Sequence, residues 1–344
     1  MEEQFSRYQC QMALPGFGIE AQKRLQNAKV LVVGIGGLGC PSSQYLAASG
    51  IGTLAIVDDD VVSLSNLHRQ ILYTPEDVGK PKVEVAAKRL QAQNPSITII
   101  PINQRVTSDN VMDLIADYDL VIEGTDNFET KYLLNDACVL AGKALVYGAI
   151  YQYEGQVSIW NVQQADGSFS ANYRDVFPDV EAVQVPNCAE GGVIPSLAGI
   201  VGCMQANEAI KYLTQSKDLL ADKLWMVNML MGKTQIIKLR KSNAIEIKAL
   251  VETIPIMSFN EFNTKKDQLE IIDVREISEH EASNLGGKNI PLSELENRLS
   301  EITPDKTILC YCASGKRSTV AVGILKKHFP NISIFSLKNG MSAY

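Results

Sequence analysis

Gly34-Ile35-Gly36-Gly37-Leu38-Gly39 follows the apolar run Val30 to Val33 and precedes Pro41 to Ser49, which reads as a helix. In that setting glycines permit a tight turn and close backbone approach, and the helix start offers unpaired N–H groups to a phosphate. Asp58 ends the next strand-like run, Thr53 to Val57, where an acid can bond a ribose hydroxyl. This much also suits an NAD-dependent oxidoreductase. Three further stretches favour a triphosphate: Ser65-Asn66-Leu67-His68-Arg69-Gln70, Lys82 after Gly79-Lys80-Pro81, and Gly124-Thr125-Asp126-Asn127. Arg69 and Lys82 supply cations, and Asp126, on a loop after a strand, is a natural Mg²⁺ ligand. A nicotinamide cofactor needs neither the metal nor the extra cations.

Two thiols stand apart from the rest. Cys312-Ala313-Ser314-Gly315-Lys316-Arg317-Ser318 lies between an apolar strand and a helical stretch, so successive backbone N–H groups can curl around one sulfur. A thiolate or persulfide there would gain from the helix dipole and from Lys316 and Arg317. Cys188 sits ahead of a second helix and is a plausible nucleophile. Cys40, Cys138, Cys203 and Cys310 read as packing residues. None of the three histidines, His68, His280 and His328, reads as catalytic.

These residues need a scaffold, and the composition supplies one. A chain of 344 residues with 46% hydrophobic side chains has the length of about two packed domains. A net charge of -7 leaves no basic excess to pair phosphates along a nucleic acid or an anionic membrane. No stretch is apolar for long enough to span a bilayer, and the first residues lack a signal-peptide layout, so a cytoplasmic protein is expected. Seven scattered cysteines without a Cys-x-x-Cys pair suit free thiols, not a disulfide framework or a zinc ribbon.

Strand and helix patterns alternate from Lys29. Strands are expected at 53–57, 97–102, 120–122 and 144–147, and helices at 82–93, 109–116 and 127–141, which implies a mostly parallel, doubly wound α/β sheet. Strand-like pieces, an irregular stretch from Tyr173 to Glu190, a helix at 196–213 and two strands within 224–239 extend it. After a patternless linker a second, small α/β cycle follows, with strands at 270–273 and 307–311 and helices at 293–299 and 318–328.

The first part resembles the ubiquitin-activating-like adenylyltransferases of the MoeB, ThiF and HesA type. The resemblance runs over nearly all of the first 240 residues, from Arg7-Tyr8 and Leu14-Pro-Gly-Phe-Gly18 through the motifs above to Asn135-Asp-Ala-Cys138, Glu154-Gly-Gln156 and Cys188-Ala-Glu190. It is most similar to the molybdopterin-synthase adenylyltransferase branch. It implies a Rossmann-like activating domain that uses ATP and Mg²⁺ to adenylate the C-terminal Gly-Gly carboxylate of a ubiquitin-like sulfur carrier protein. Its ATP contacts fall on Gly37, Asp58, Ser65, Asn66, Leu67, His68, Arg69, Lys82, Asp126 and Asn127, and it implies a homodimer. Residues 255–344 are similar to rhodanese sulfurtransferases: Ile271-Ile-Asp-Val-Arg-Glu276, Glu279-His-Glu281, Asn289-Ile-Pro-Leu292, the Cys312 loop and Leu337-Lys-Asn-Gly-Met-Ser-Ala343 match.

The expected division is therefore 1–240 for adenylation, 241–254 as linker and 255–344 for sulfur transfer from a persulfide supplied by a sulfur donor. Arg69, Lys82, Asp126, Cys188, Cys312 and Arg317 are the expected catalytic set. Two departures bear on this. The family's N-terminal Arg-Tyr-x-Arg-Gln segment sends its second arginine into the partner subunit's site, but here the residue is Cys10. The family's structural zinc is held by two Cys-x-x-Cys pairs, the first of which aligns with Asn172-Tyr173-Arg174-Asp175, so no zinc is expected. A carrier-binding protein with reduced or lost adenylation is the alternative that the missing arginine raises.

Overall fold

The computed structural model describes residues 5–178, 192–242, 245–250, 254–303 and 305–341. The chain divides into two compact units, Met1–Val251 and Glu252–Tyr344.

In the first unit, β1 (Lys29–Val33) and β4 (Leu120–Glu123) are almost wholly apolar and buried, as strands covered on both faces of a sheet must be. With β2 (Thr53–Val57), β3 (Thr98–Ile102) and β5 (Ala144–Tyr151) they form a parallel set. β6 (Glu154–Trp160), β7 (Lys223–Asn228) and β8 (Lys233–Lys238) continue it antiparallel, in the order β3-β2-β1-β4-β5-β6-β7-β8. The helices are α1 (Gln9–Met12), α2 (Gly18–Asn27), α3 (Gly39–Ser49), α4 (Lys82–Gln93), α5 (Val111–Ala116), α6 (Phe128–Leu140), α7 (Tyr173–Val176) and α8 (Pro195–Leu213). Leu46 of α3, Ala86 of α4 and Leu197 of α8 enter one apolar layer, and Val111 and Ile115 of α5 with Leu133 of α6 enter the other. β1 pairs with β2 on one side and with β4 on the other, so the chain reverses direction across the sheet at β1. The crevice beyond the C-terminal ends of those two strands is where open α/β sheets bind ligands.

The second unit is a five-stranded parallel sheet in the order β11-β10-β12-β13-β9, made of β9 (Ile256–Met257), β10 (Leu269–Asp273), β11 (Lys288–Asn289), β12 (Thr307–Tyr311) and β13 (Ile334–Leu337). Its helices are α9 (Phe259–Lys265), α10 (Ile277–Ala282) and α11 (Lys316–His328). The helix expected at 293–299 does not form. Two short 3₁₀ turns, Leu295–Asn297 and Leu299–Glu301, stand there, because Leu295 is wholly buried and Leu292 and Leu299 pack beside it, a run that mimics a helical stripe. Conversely, β9, α9, β11 and β13 are elements that periodicity did not anticipate.

Candidate active site

The glycine turn occupies the crevice between β1 and β4. Gly34 has φ +87°, and a β-carbon there would lie 2.8 Å from the carbonyl carbon of Gly124. A β-carbon on Gly39 would lie 1.9 Å from Gly34 O, so this turn admits no side chain at either end. Asp58 fastens the turn: its carboxylate accepts the Ile35 N–H at 2.8 Å and the Asp60 N–H at 2.9 Å. Tyr73, which motif reading passed over, holds the other side by donating its hydroxyl to Ile35 O at 2.8 Å. Burial raises the Asp58 carboxyl above the usual range, against Lys82 and the two N–H donors. An oxygen so engaged keeps a lone pair for a ribose hydroxyl.

Lys82 is 3% exposed, donates to Asp60 Oδ2 at 2.7 Å and lies 4.0 Å from Asp58. Burial lowers the ammonium, but Asp58, Asp60 and Asp126 outweigh it and leave Lys82 above its ordinary value, a fixed cation. Arg69 is half-buried and donates to Asn66 Oδ1 at 3.2 Å, with His68 Nε2 at 3.3 Å from it. His68 in turn stands 2.9 Å from Ser65 O, and Leu67 packs against the core, so this segment is braced from within. A β-carbon on Gly37 would touch the Arg69 side chain at 3.5 Å. Gln70 is buried beside Gly36, and its Oε1 has no hydrogen-bond partner. Bare glycine backbone and a buried cation converge here, and they fit a nucleotide phosphate, while the orphaned Gln70 oxygen suits a donor such as a hydroxyl or a water.

Asp126 is exposed at the C-terminal side of β4. Asn127 caps α6 by accepting the Thr130 N–H at 2.8 Å. Beneath this loop lies a pair that sequence reading missed. Glu123 is wholly buried and pairs with Lys131, whose ammonium also donates to Thr125 O at 3.1 Å and Gly148 O at 3.0 Å. The other Glu123 oxygen accepts the Thr125 N–H at 2.7 Å and its hydroxyl at 2.6 Å. Both oxygens are thus used to hold residues 124–126 in place. Among the described residues, the group of three acidic side chains with mutually close oxygens is Asp58, Asp59 and Asp60, and Asp126 is not in it.

In the second unit Cys312 is 1% exposed just beyond β12. Its sulfur accepts the N–H groups of Gly315 at 3.1 Å and Ser318 at 3.4 Å, and Gly315, φ +90°, caps α11. Burial pushes the thiol up, but the Ser318 hydroxyl and the N–H groups of Ser318, Ser314 and Gly315 outweigh it and hold Cys312 below the ordinary thiol range. Cys310 and Cys40, wholly buried, are pushed the other way by burial, Cys40 to about 12. Arg317 forms a two-pronged ion pair with Glu279 at 2.6 and 2.7 Å. Glu279 is placed by α10, which Asp273 anchors: this buried acid binds Arg275 at 2.6 Å and His280 at 2.9 Å. Cys188 lies outside the described residues.

The segment aligned with the zinc pair does not suit the metal. Asn172 and Asp175 form a capping box around α7, Arg174 grips Asp136 with two bonds of 2.7 Å, and Asp175 accepts the Ser242 N–H at 2.8 Å. Asn172 and Asp175, at the positions of the aligned cysteines, are committed to each other and offer no thiolate. At the N-terminus Cys10 is exposed, and Arg7 donates to Gln93 O of its own chain at 3.2 Å.

The ThiF family model matches residues 8–246 and the rhodanese-like domain model residues 258–344. The chain is 37% identical to the probable adenylyltransferase/sulfurtransferase MoeZ of Mycobacterium tuberculosis, over 94% of this chain and 89% of that protein. It is 50% identical to the sulfur carrier protein adenylyltransferase of Thermus thermophilus, over 62% of this chain and 79% of the other. It is 34% identical to the adenylyltransferase and sulfurtransferase MOCS3 of Drosophila grimshawi, over 99% and 84%. E. coli MccB, solved with MccA-N7isoASN, shares the fold at a TM-score of 0.63 and 21% identity over 72% of this chain and 74% of MccB. By sequence and by the two family models it carries, the chain belongs to the ThiF family, in its adenylyltransferase/sulfurtransferase form with a C-terminal rhodanese-like domain.

Proposed function

We propose that this enzyme adenylates the C-terminal Gly-Gly carboxylate of a ubiquitin-like sulfur carrier protein and converts it to a thiocarboxylate. The observation that carries this reading is the union in one chain of a phosphate-binding turn at the β1/β4 crevice and a cysteine cradled by backbone N–H groups. The carrier carboxylate attacks the α-phosphate of ATP and pyrophosphate leaves. Asp58 holds the ribose, Gly34–Gly39 and Gln70 line the phosphates, and Arg69 and Lys82 balance the charge that builds on the phosphoryl oxygens. Magnesium, held by Asp126 when bound, would neutralise phosphate charge further.

The outer sulfur of a Cys312 persulfide, formed from a sulfur donor, then attacks the acyl carbon and AMP leaves. A thiol cleaves the sulfur–sulfur bond of the resulting acyl disulfide, releasing the thiocarboxylate and leaving a disulfide on Cys312 that an external dithiol reduces. Arg317, fixed by Glu279, gives the approaching anion a cation; where the route passes through Cys188, its thiolate first displaces AMP to form a thioester, and the persulfide then attacks that thioester and expels the Cys188 thiolate. The protein acts as a cytoplasmic homodimer, a setting suited to ATP consumption and to the free thiols of the described residues.

ATP–pyrophosphate exchange tests the first step. Exchange that requires an added Gly-Gly-tailed carrier is expected, followed by a mass gain of one sulfur in place of oxygen when a persulfide donor is present. Carrier binding without exchange would defeat the adenylation reading, and light scattering checks the dimer.

A further inference from the structure

Behind Cys312 lies a second hydroxyl that no part of the proposed route uses. Ser336 is on β13, the strand next to β12, and is 2% exposed among Ile334, Leu337 and other buried apolar side chains. A buried hydroxyl in such a strand costs free energy unless it finds a partner. Its partner is Ser318: the two oxygens are 2.8 Å apart. Ser318 is itself wholly buried, donates to Gly315 O at 3.0 Å and stands 3.6 Å from Cys312 Sγ.

The Ser318 hydroxyl thus has one proton and three acceptors in reach, the Gly315 carbonyl, the Cys312 sulfur and the Ser336 oxygen, and the last is removed as a competitor when Ser336 is the donor of their pair. When the sulfur is a thiol the carbonyl is the better acceptor. When it is a thiolate, a charge-assisted bond to sulfur is the stronger one. A proton donated from Ser336 to the Ser318 oxygen satisfies that oxygen and polarises its own O–H, so the hydroxyl can turn to sulfur without leaving an unpaired lone pair behind.

We propose that Ser336 is a positioning residue for Cys312, acting through the Ser318 hydroxyl to favour the anionic sulfur. This rests on the reading of Cys312 as the sulfur-bearing thiolate. The other groups that bear on this sulfur are Cys310 beneath it on β12, Lys316 and Arg317 of α11, and Glu279 of α10 through Arg317. Removing the Ser336 hydroxyl alters none of them.

The test is the pH dependence of Cys312 alkylation by iodoacetamide in the full chain, read by mass spectrometry of the Cys312 peptide so that exposed Cys10 does not contribute. Ser336→Ala is expected to raise the apparent pKa of Cys312 by about 0.5, the size of one modest hydrogen bond, while Ser336→Thr restores it. In a Ser318→Ala background, Ser336→Ala is expected to add no further change, since its only route is gone. An unchanged pKa in Ser336→Ala, with low wild-type pKa, overturns the proposal, as does a full additional rise in the Ser318→Ala background. An ordinary thiol pKa in the wild type overturns the underlying reading of Cys312 first.

Discussion

Gly34 and Gly124 touch backbone to backbone at the head of the crevice: a β-carbon on Gly34 would fall 2.8 Å from the Gly124 carbonyl carbon, and Gly34 holds φ at +87°. Gly34→Ala therefore meets strain and collision together, and either β1 or β4 must move. A shift of about 1 Å at a catalytic loop costs on the order of a hundredfold in rate. Adenylate formation is expected to fall by at least that factor, with sulfur loading of Cys312 unaffected; a persulfide assay beside ATP–pyrophosphate exchange separates the two.

Lys82 is the cation best fixed for the proposed adenylation, since three carboxylates hold it charged in a buried place. Lys82→Ala is expected to lower the adenylation rate by about two to three orders of magnitude. Single-turnover measurement of acyl-adenylate formation at saturating ATP checks this, and a change confined to ATP affinity would assign Lys82 to binding alone.

The Glu123–Lys131 pair makes a prediction about folding and not about chemistry. Lys131→Met strands a wholly buried carboxylate, a loss of about 3–5 kcal/mol. Adding Glu123→Gln is expected to recover most of it, because Thr125 can still donate to the amide oxygen. Urea denaturation of the single and double variants reads both effects.

Glu279 is held by Arg317 and lowered to about 2 from 4.5. A depressed acid lends stability that is present above its unfolded value and disappears as pH falls through its folded one. Thermal melts followed from pH 5 down to pH 2 are expected to lose part of their stability across that window in the wild type and to lose less in Glu279→Gln. The effect is modest because the pair is about one-third exposed.

Asn172 and Asp175 occupy the positions aligned with the metal-binding cysteines, and Arg174 between them pairs with Asp136 of α6. Arg174→Ala is expected to cost about 3 kcal/mol by leaving the buried Asp136 unpaired. Chelator is expected to leave the wild-type melting curve unchanged. One tightly bound zinc per chain on metal analysis would refute this account.

The parts that could be read in the sequence were those in which residue type and spacing carry the chemistry. Gly34–Gly39 after a strand and Cys312 before a helix each announce a backbone shape as well as a ligand, and the helix expected at 82–93 runs over those residues, Lys82–Gln93. What escaped reading depends on partners far along the chain. Lys131 looks like a helix-surface charge until Glu123, Thr125 and Gly148 close around it. Ser336 looks like a polar residue in a weak strand until Ser318 meets it. The segment 293–299 misled for the opposite reason, since leucines spaced like a helical stripe can reach a core from successive 3₁₀ turns.

The change from parallel to antiparallel pairing at β6 also divides the folding of the first unit in time. β5 meets β6 across Gln152 and Tyr153, and β7 meets β8 across four residues, contacts that close within microseconds because little loop must be ordered. The crevice has no such neighbourly route: it exists only when Val30 has found Leu120, some 90 positions away. Non-local pairing of that kind is slow. The crevice is thus expected to close after the two hairpins, and a half-folded chain is expected to bind ATP poorly even when those hairpins are already built.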